Sequence, residues 1–440
     1  MSTRTTESAV RHGEGERERE AWRVTWLLLA FMLINFADKA VLGLVAVPLQ
    51  ADLHLDDSKF GLIGSMFYVL FALSALVVSR LTRRYRTPVL LLVMGVVWAL
   101  CQLPVVFGLG FAGLVATRIV LGAAEGPAYP VANHAIAGWF EDRRRTLPAT
   151  VIALGAAAGV AVAAPLVNVV AHAWGWRWSF GVIGILGLAW CAAWSRWGKS
   201  GPDEGHLPPA EVTKIQASTA TATADVQSVP LRRILLSGSF LAASFGAFAT
   251  MWMLAANLTW IAKYFENVVG FSTGKTSAVI FAAGIMNGVV LIAYGAYSQR
   301  AARSGASARK LRGVLPAVAM LLAACSLTLF AIVPTPAVKV LCTLGPVAIA
   351  NIILPISQAV AGQLAPAQQR GTVLGVMAFI YSFGAVLAPT VVGAMHDSAP
   401  TLAAGFREGW LTSAAVLALA GALALVFIRP ERDLERIHRG

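Results

Sequence analysis

Apolar runs long enough to cross a bilayer recur along this chain from residue 24 to residue 428. A helix needs about 20 apolar residues to span the hydrocarbon core. Lipid offers no partner to an unpaired backbone group, so only helices and closed barrels span it. A barrel would alternate apolar and polar residues over short segments, and the sequence has no such pattern. Composition agrees: 57% of residues are hydrophobic and 13% charged, where a soluble domain carries roughly a quarter charged. An all-α polytopic membrane protein is expected.

Twelve spans are predicted. The first six lie at 24–50, 58–79, 88–110, 112–138, 146–172 and 177–197. The next six lie at 232–262, 276–299, 313–334, 337–363, 371–396 and 407–428. A polar stretch at 198–230, rich in Thr, Ala, Ser and Pro, separates them and reads as a linker. The expected organisation is a disordered tail at 1–20, a six-helix bundle at 21–197, the linker, a second bundle at 231–428 and a tail at 429–440. Residues 1–20 mix both signs and precede a run too long for a signal peptide.

Most of the 35 Lys and Arg residues fall in the two tails, the linker and the loops after even-numbered spans. The opposite side holds Lys59, Arg177, Lys263, Lys275, Lys339 and Arg407. The positive-inside rule then places both termini and the linker in the cytoplasm, for a multi-pass protein of the cell membrane. The net charge of +13 is thus a topology signal and not a nucleic-acid surface. The cysteines, Cys101, Cys191, Cys325 and Cys342, all fall in spans without metal-ligand spacing and read as small buried residues.

Four charges remain inside the spans: Asp38 and Lys39 in the first, Arg118 and Glu125 in the fourth. Each costs about 2.5–3.5 kcal/mol to insert at mid-bilayer, which marks a functional site. Adjacent residues point about 100° apart on a helix, so Asp38 and Lys39 each need a partner from elsewhere. Arg118 and Glu125, two turns apart, share one face. Spans 1 and 4 facing one another, with the four groups lining one cavity, is the simplest geometry. The bland alternative is a pair of buried salt bridges that only fixes helix packing. Burial and a neighbouring cation pull a carboxylate's proton affinity in opposite directions, which can place it where protons exchange at physiological pH. Asp38 and Glu125 are therefore the expected proton-coupling residues. Protonation would free Arg118 and Lys39 to hold an anion.

Gly126, Pro127 and Pro130 follow Glu125 and predict a kink, a hinge beside a water-filled cavity or an ordinary proline kink. His134 one turn on reads as a satisfied core histidine or a member of the proton path. Gly155 and Gly159 in span 5 make a small-residue packing face. The second half has no Asp, Glu, Lys or Arg well inside a span. Its polar candidates are Asn257, Asn287, Tyr294, Asn351, Ser357, Gln358 and Tyr381, for which helix-to-helix bonding and substrate contact both stay open. Tyr68, Gln358 and Tyr381 join Lys39 and Arg118 in the expected substrate-binding set. No Gly-Lys-Ser phosphate loop, His-Glu-x-x-His or nucleophile elbow appears, so neither an enzyme, a metal site nor a cofactor is expected.

Twelve spans about a central linker resemble the major facilitator superfamily. Asn35-Phe36-Ala37-Asp38-Lys39 resembles the Asn-Tyr-x-Asp-Arg stretch of its anion:cation symporter branch, the sugar-acid and organic-acid permeases. Arg118, then Glu125-Gly126-Pro127-Ala128-Tyr129-Pro130, Asn133 and Trp139-Phe140 resemble span 4 of that branch. The resemblance implies two six-helix bundles and proton-coupled uptake of an organic anion by alternating access, in a chain expected to be monomeric. It implies protonation at Asp38 and Glu125, with Arg118 supporting them or the substrate. A proton-coupled exporter of drugs or metabolites is the alternative, and intramembrane bases suit cationic drugs poorly. Three departures stand out. Lys39 replaces an arginine and offers a point charge in place of a fork. The gating loop after span 2 reads Val78-Ser79-Arg80-Leu81-Thr82-Arg83, keeping Arg83 but lacking the acid. Ala156 and Ala378 stand where sugar-acid permeases place hydroxyl partners, so a less polar monocarboxylate is expected.

Overall fold

The computed structural model describes residues 2–439 apart from 72, 75–76, 78–83, 141–143, 202–228, 304–306, 308, 346–351 and 367–368. Arg83 and nearly all of the linker lie outside the described residues. The first half comprises α1 (Ser2–Leu44), α2 (Ala46–Leu53), α3 (Asp57–Val69), α4 (Thr87–Val106), α5 (Phe111–Glu125), α6 (Ala128–Trp139), α7 (Thr146–Trp174) and α8 (Trp176–Trp197). The second comprises α9 (Leu231–Leu235), α10 (Gly238–Asn267), α11 (Thr273–Arg303), α12 (Leu315–Ile332), α13 (Pro336–Leu344), α14 (Ile353–Leu364), α15 (Arg370–Ser398), α16 (Leu402–Phe427) and α17 (Pro430–Arg439). A π-helical turn, Lys310–Val314, leads into α12. Among the described residues nine helices are long and apolar enough to cross a membrane. Spans 2, 4 and 10 appear as shorter helices. The fold is the all-helical one the sequence predicts.

Three boundaries differ from expectation. Helix α1 begins at Ser2, so the polar stretch assigned to disorder continues the first helix. Span 1 breaks at Val45, because Pro48 has no N–H to return to Leu44 and its ring crowds that carbonyl. Span 4 is two helices, interrupted at Gly126 and Pro127.

Within the first half α1 packs on α7 and α8, α4 on α8, and α3 on α5. Within the second α10 packs on α15, α16 and α14, and α12 on α16. The α1–α7 contact uses the predicted small-residue face: a Cβ on Gly155 would meet Met32 at 2.6 Å, and one on Gly159 would meet the Leu33 carbonyl at 2.5 Å. The halves meet through α3 against α15, α7 against α11 and α1 against α10. Close approach needs glycine here too. A Cβ on Gly43 would overlap the Leu258 carbonyl, and one on Gly284 would stand 2.9 Å from Ala161. Cys101, Cys191 and Cys342 are buried as expected, whereas Cys325 is exposed on the outer face of α12.

Candidate functional site

Helices α1 and α5 bring the four intramembrane charges together as two crossed pairs. Lys39 Nζ pairs with Glu125 Oε2 and donates to Asn35 Oδ1 at 2.5 Å. The ammonium sits 4.7 Å from the Phe36 ring centroid, 5.5 Å from Phe67 and 5.7 Å from Phe71. Such rings attract a cation through their faces. Arg118 Nη1 stands 3.9 Å from Asp38 Oδ1. Its Nη2 donates to Gln102 Oε1 on α4 at 3.2 Å, and its guanidinium lies 5.2 Å from the Phe180 ring. The 100° offset between Asp38 and Lys39 thus sends each to a different partner on α5. Gln102, an uncharged residue in span 3, was not singled out by the sequence.

Burial is nearly complete: Asp38 is 1% exposed, Glu125 1% and Arg118 2%. Satisfaction is not. Among the described residues both Asp38 oxygens, Glu125 Oε1, Arg118 Nε, Asn35 Nδ2 and Gln102 Nε2 find no hydrogen-bond partner. A half-satisfied ionic network is a poor source of stability. The Asp38 and Glu125 carboxyls lie within hydrogen-bond reach of each other. As carboxylates they can only accept, so that bond forms when one of them carries a proton.

A central cavity of about 170 Å³ lies between the halves, bordered by α1, α7, α10, α11 and α13. Its wall is apolar, with Phe36, Ala156, Met253, Leu258 and Ile280, and is interrupted by Asn257, Asn287 and Thr343. The sequence led us to expect the four charges to line one shared cavity. They do not line this one: Phe36 and Ala40, their neighbours on α1, form its wall instead. Phe36, whose ring centroid lies 4.7 Å from the Lys39 ammonium, is part of that wall.

The other predicted site residues are placed as follows. Tyr68 is buried, its ring 4.9 Å edge-on to Phe67, and does not line the central cavity. Gln358 and Tyr381 hydrogen-bond one another in the second half, away from the quartet. His134 is exposed and bonds Thr87 at 3.0 Å, so it is not a core residue. Gly126 and Pro127 form the break in span 4, and a Cβ on Gly126 would overlap the Phe71 carbonyl. Pro130 does not kink a helix. It sits in the first turn of α6, where a missing N–H removes no intrahelical bond.

At the end opposite the termini the structure shows a second cluster. Asp57, the first residue of α3, accepts from Lys263 of α10, from Gln50 at 2.7 Å and binds His396 Nδ1 of α15 at 3.0 Å. Lys263 also donates to Gln50 at 2.8 Å. Asp397 returns the contact, accepting from the Asp57 N–H at 3.1 Å and the Ser58 N–H at 2.7 Å. About two turns deeper, Ser65 and Thr390 share a hydrogen bond of 2.8 Å. Burial opposes ionisation of Asp57, but the bonds from His396, Lys263 and Gln50 outweigh it and hold the carboxyl at about 2. These contacts cross between the halves and close that end. In sequence they are span-end charges, which are ordinary.

Comparison with known proteins agrees with this architecture. Residues 27–389 match the sequence model of the Major Facilitator Superfamily. The hexuronate transporter of Bacillus subtilis (strain 168) is 28% identical over 414 residues, covering 92% of this chain and 94% of that protein. The D-galactonate transporter of Escherichia coli O6:H1 is 22% identical, covering 91% and 94%. Among solved structures, a bacterial homologue of the human lysosomal transporter Spinster, inward-facing and unoccupied, superposes with a TM-score of 0.73 at 16% identity, over 95% of this chain and 98% of that one. The chain is a multi-pass membrane transporter of the Major Facilitator Superfamily, in its anion:cation symporter branch.

Proposed function

We propose that this transporter takes up an organic anion, a monocarboxylate, together with a proton, by alternating access in the cell membrane, and that it acts as a monomer. The observation that carries the reading is the crossed quartet with its two facing acids. Lys39, Arg118, Asp38 and Glu125 sum to zero when both acids are ionised. One proton shared by Asp38 and Glu125 leaves a net charge of +1 in a low-dielectric site. A monocarboxylate cancels that charge, so proton and anion load together more readily than either alone. Tyr68, Gln358 and Tyr381 shape the surrounding path rather than hold the charge. Gly126 and Pro127 are the hinge of span 4, and Arg83 belongs to the gate at the terminal end.

With the basic loops in the cytoplasm, the sealed end is the one that faces away from the cytoplasm. The largely apolar central cavity, with Ala156 in its wall, suits an anion with fewer hydroxyls than the hexuronate and galactonate named for the relatives. The same cluster disfavours export of cationic drugs, which Lys39 and Arg118 would repel.

The test is uptake in proteoliposomes. A thermal-shift screen over organic acids selects the labelled carboxylate, since a ligand of the folded state raises its melting temperature. An acid-outside pH gradient should drive its accumulation. Asp38→Asn and Glu125→Gln should each abolish that accumulation. If both variants still concentrate the anion under the gradient, the coupling assignment is wrong.

A further inference from the structure

A second pocket, of about 320 Å³, lies between the halves at the end opposite the termini. Its polar groups come from both halves: Asn168 and His172 from α7, Glu266 from α10, and Thr273, Thr276 and Ser277 from or beside α11. The set is rich in acceptors. Among the described residues Asn168 Oδ1 and Thr276 Oγ1 find no hydrogen-bond partner, and Thr276 is 1% exposed. Glu266 forms no salt bridge among the described residues. His172 Nδ1 faces the Asn168 carbonyl at 2.8 Å. A carbonyl only accepts, so a ring proton sits on Nδ1, and Nε2 accepts whenever the ring carries that proton alone.

We propose that this pocket binds a small monovalent cation through Glu266, Asn168 and Thr276. Orphaned oxygen acceptors around one carboxylate call for a ligand that is positive or donates in several directions. A single carboxylate fits a monovalent ion; divalent calcium gathers six to eight oxygens, several of them from carboxylates. The donors belong to opposite halves, so the bound ion ties α7 to α10 and α11 and favours the closed end. Leu44 and Ala262 line both this pocket and the central cavity. A small apolar cluster of Ala164, Ala262 and Ile280 stands between the two. The ion is therefore one apolar layer from the transported anion and does not mix with it. Sodium, potassium and ammonium share the required chemistry.

The experiment uses the full chain in detergent at constant ionic strength, in sodium, potassium, ammonium or choline chloride. At least one small cation should raise the melting temperature by about 2–4 °C over choline, saturably. The salt that does so identifies the ion. Equilibrium binding of that ion to the wild-type chain should saturate near one per chain. Glu266→Gln and Thr276→Val should each melt as the wild type does in choline and lose the response, and Asp38→Asn should keep it. Should Glu266→Gln fail to fold, Thr276→Val and the binding measurement still decide. Equal melting in all four salts, or a full response in Thr276→Val, overturns the proposal. Either result leaves the anion-uptake reading untouched, since that reading rests on the quartet.

Discussion

Lys39 on α1 reaches across to Glu125 on α5, while its sequence neighbour Asp38 faces Arg118 on the same helix. Each pair is thus completed by a helix other than its own. Neither α1 nor α5 can shift along its axis without separating unlike charges out of contact with water.

Removing one partner should hurt more than removing both. The two side chains are 6% and 0% exposed, and an orphaned buried charge costs about 3–5 kcal/mol. Lys39→Met alone should lower thermal stability by that order. The double variant Lys39→Met, Glu125→Gln should recover most of it while remaining unable to transport. Melting curves of the two variants beside the wild type check this, and equal loss in both would contradict it.

Asp57 gathers contacts from three helices, so its neutral isostere should loosen the closed end. Asp57→Asn keeps the size and loses the charge that binds Lys263. A loss of 1–2 kcal/mol changes a two-state ratio by about 5–30-fold. Spin labels on Ala51→Cys and Arg407→Cys, both at exposed positions, should show a correspondingly larger population of long distances.

The pH response of that end follows from the sign of the shift. The Asp57 carboxyl sits just outside the apolar segment that begins at residue 58 and is held at about 2, below the ordinary value of about 3.9. A depressed acid contributes stability above its ordinary value and loses it as the pH falls through the folded one. The same spin-label pair should report an unchanged end down to about pH 4 and progressive opening toward pH 2. Asp57→Asn should remove this step.

Two glycine substitutions should separate gating from folding. A Cβ on Gly43 would overlap the Leu258 carbonyl of the other half, whereas one on Gly122 would overlap the Phe67 carbonyl of its own half. Gly43→Ala should wedge the halves apart and lengthen the spin-label distance with little change in melting. Gly122→Ala should lower stability by about 1–3 kcal/mol, the usual range for overpacking, and leave the distance distribution alone.

The quartet was legible because a charge inside an apolar run is rare enough to be read singly. That Asp38 and Lys39 each need a partner from elsewhere was legible as well, since helical geometry forces them apart, but which acid meets which base was not. The aromatic cover was not, because Phe36, Phe67 and Phe71 look like any other apolar residues of a span. Asp57, Lys263 and His396 could not be read as one cluster for a different reason. Each sits where a span meets water, and Asp57 and His396 meet across a separation of 339 positions that only tertiary packing closes. Pro127 and Pro130 look alike in sequence, yet only Pro127 falls at the interruption; position relative to a helix start, not residue type, decides whether a proline bends the chain.

The interruption at Gly126 and Pro127 divides labour along span 4. Helix α5 is held by α3 and α4, whereas α6 leans on α1, α4 and α7. Pro127 has no N–H to bind Ala123, so the joint between these rods is short of one restoring bond. If the transporter alternates as proposed, the lower rod can swing while the upper rod keeps its electrostatic grip, and the membrane's dry interior need never see those ions torn apart during a transport cycle.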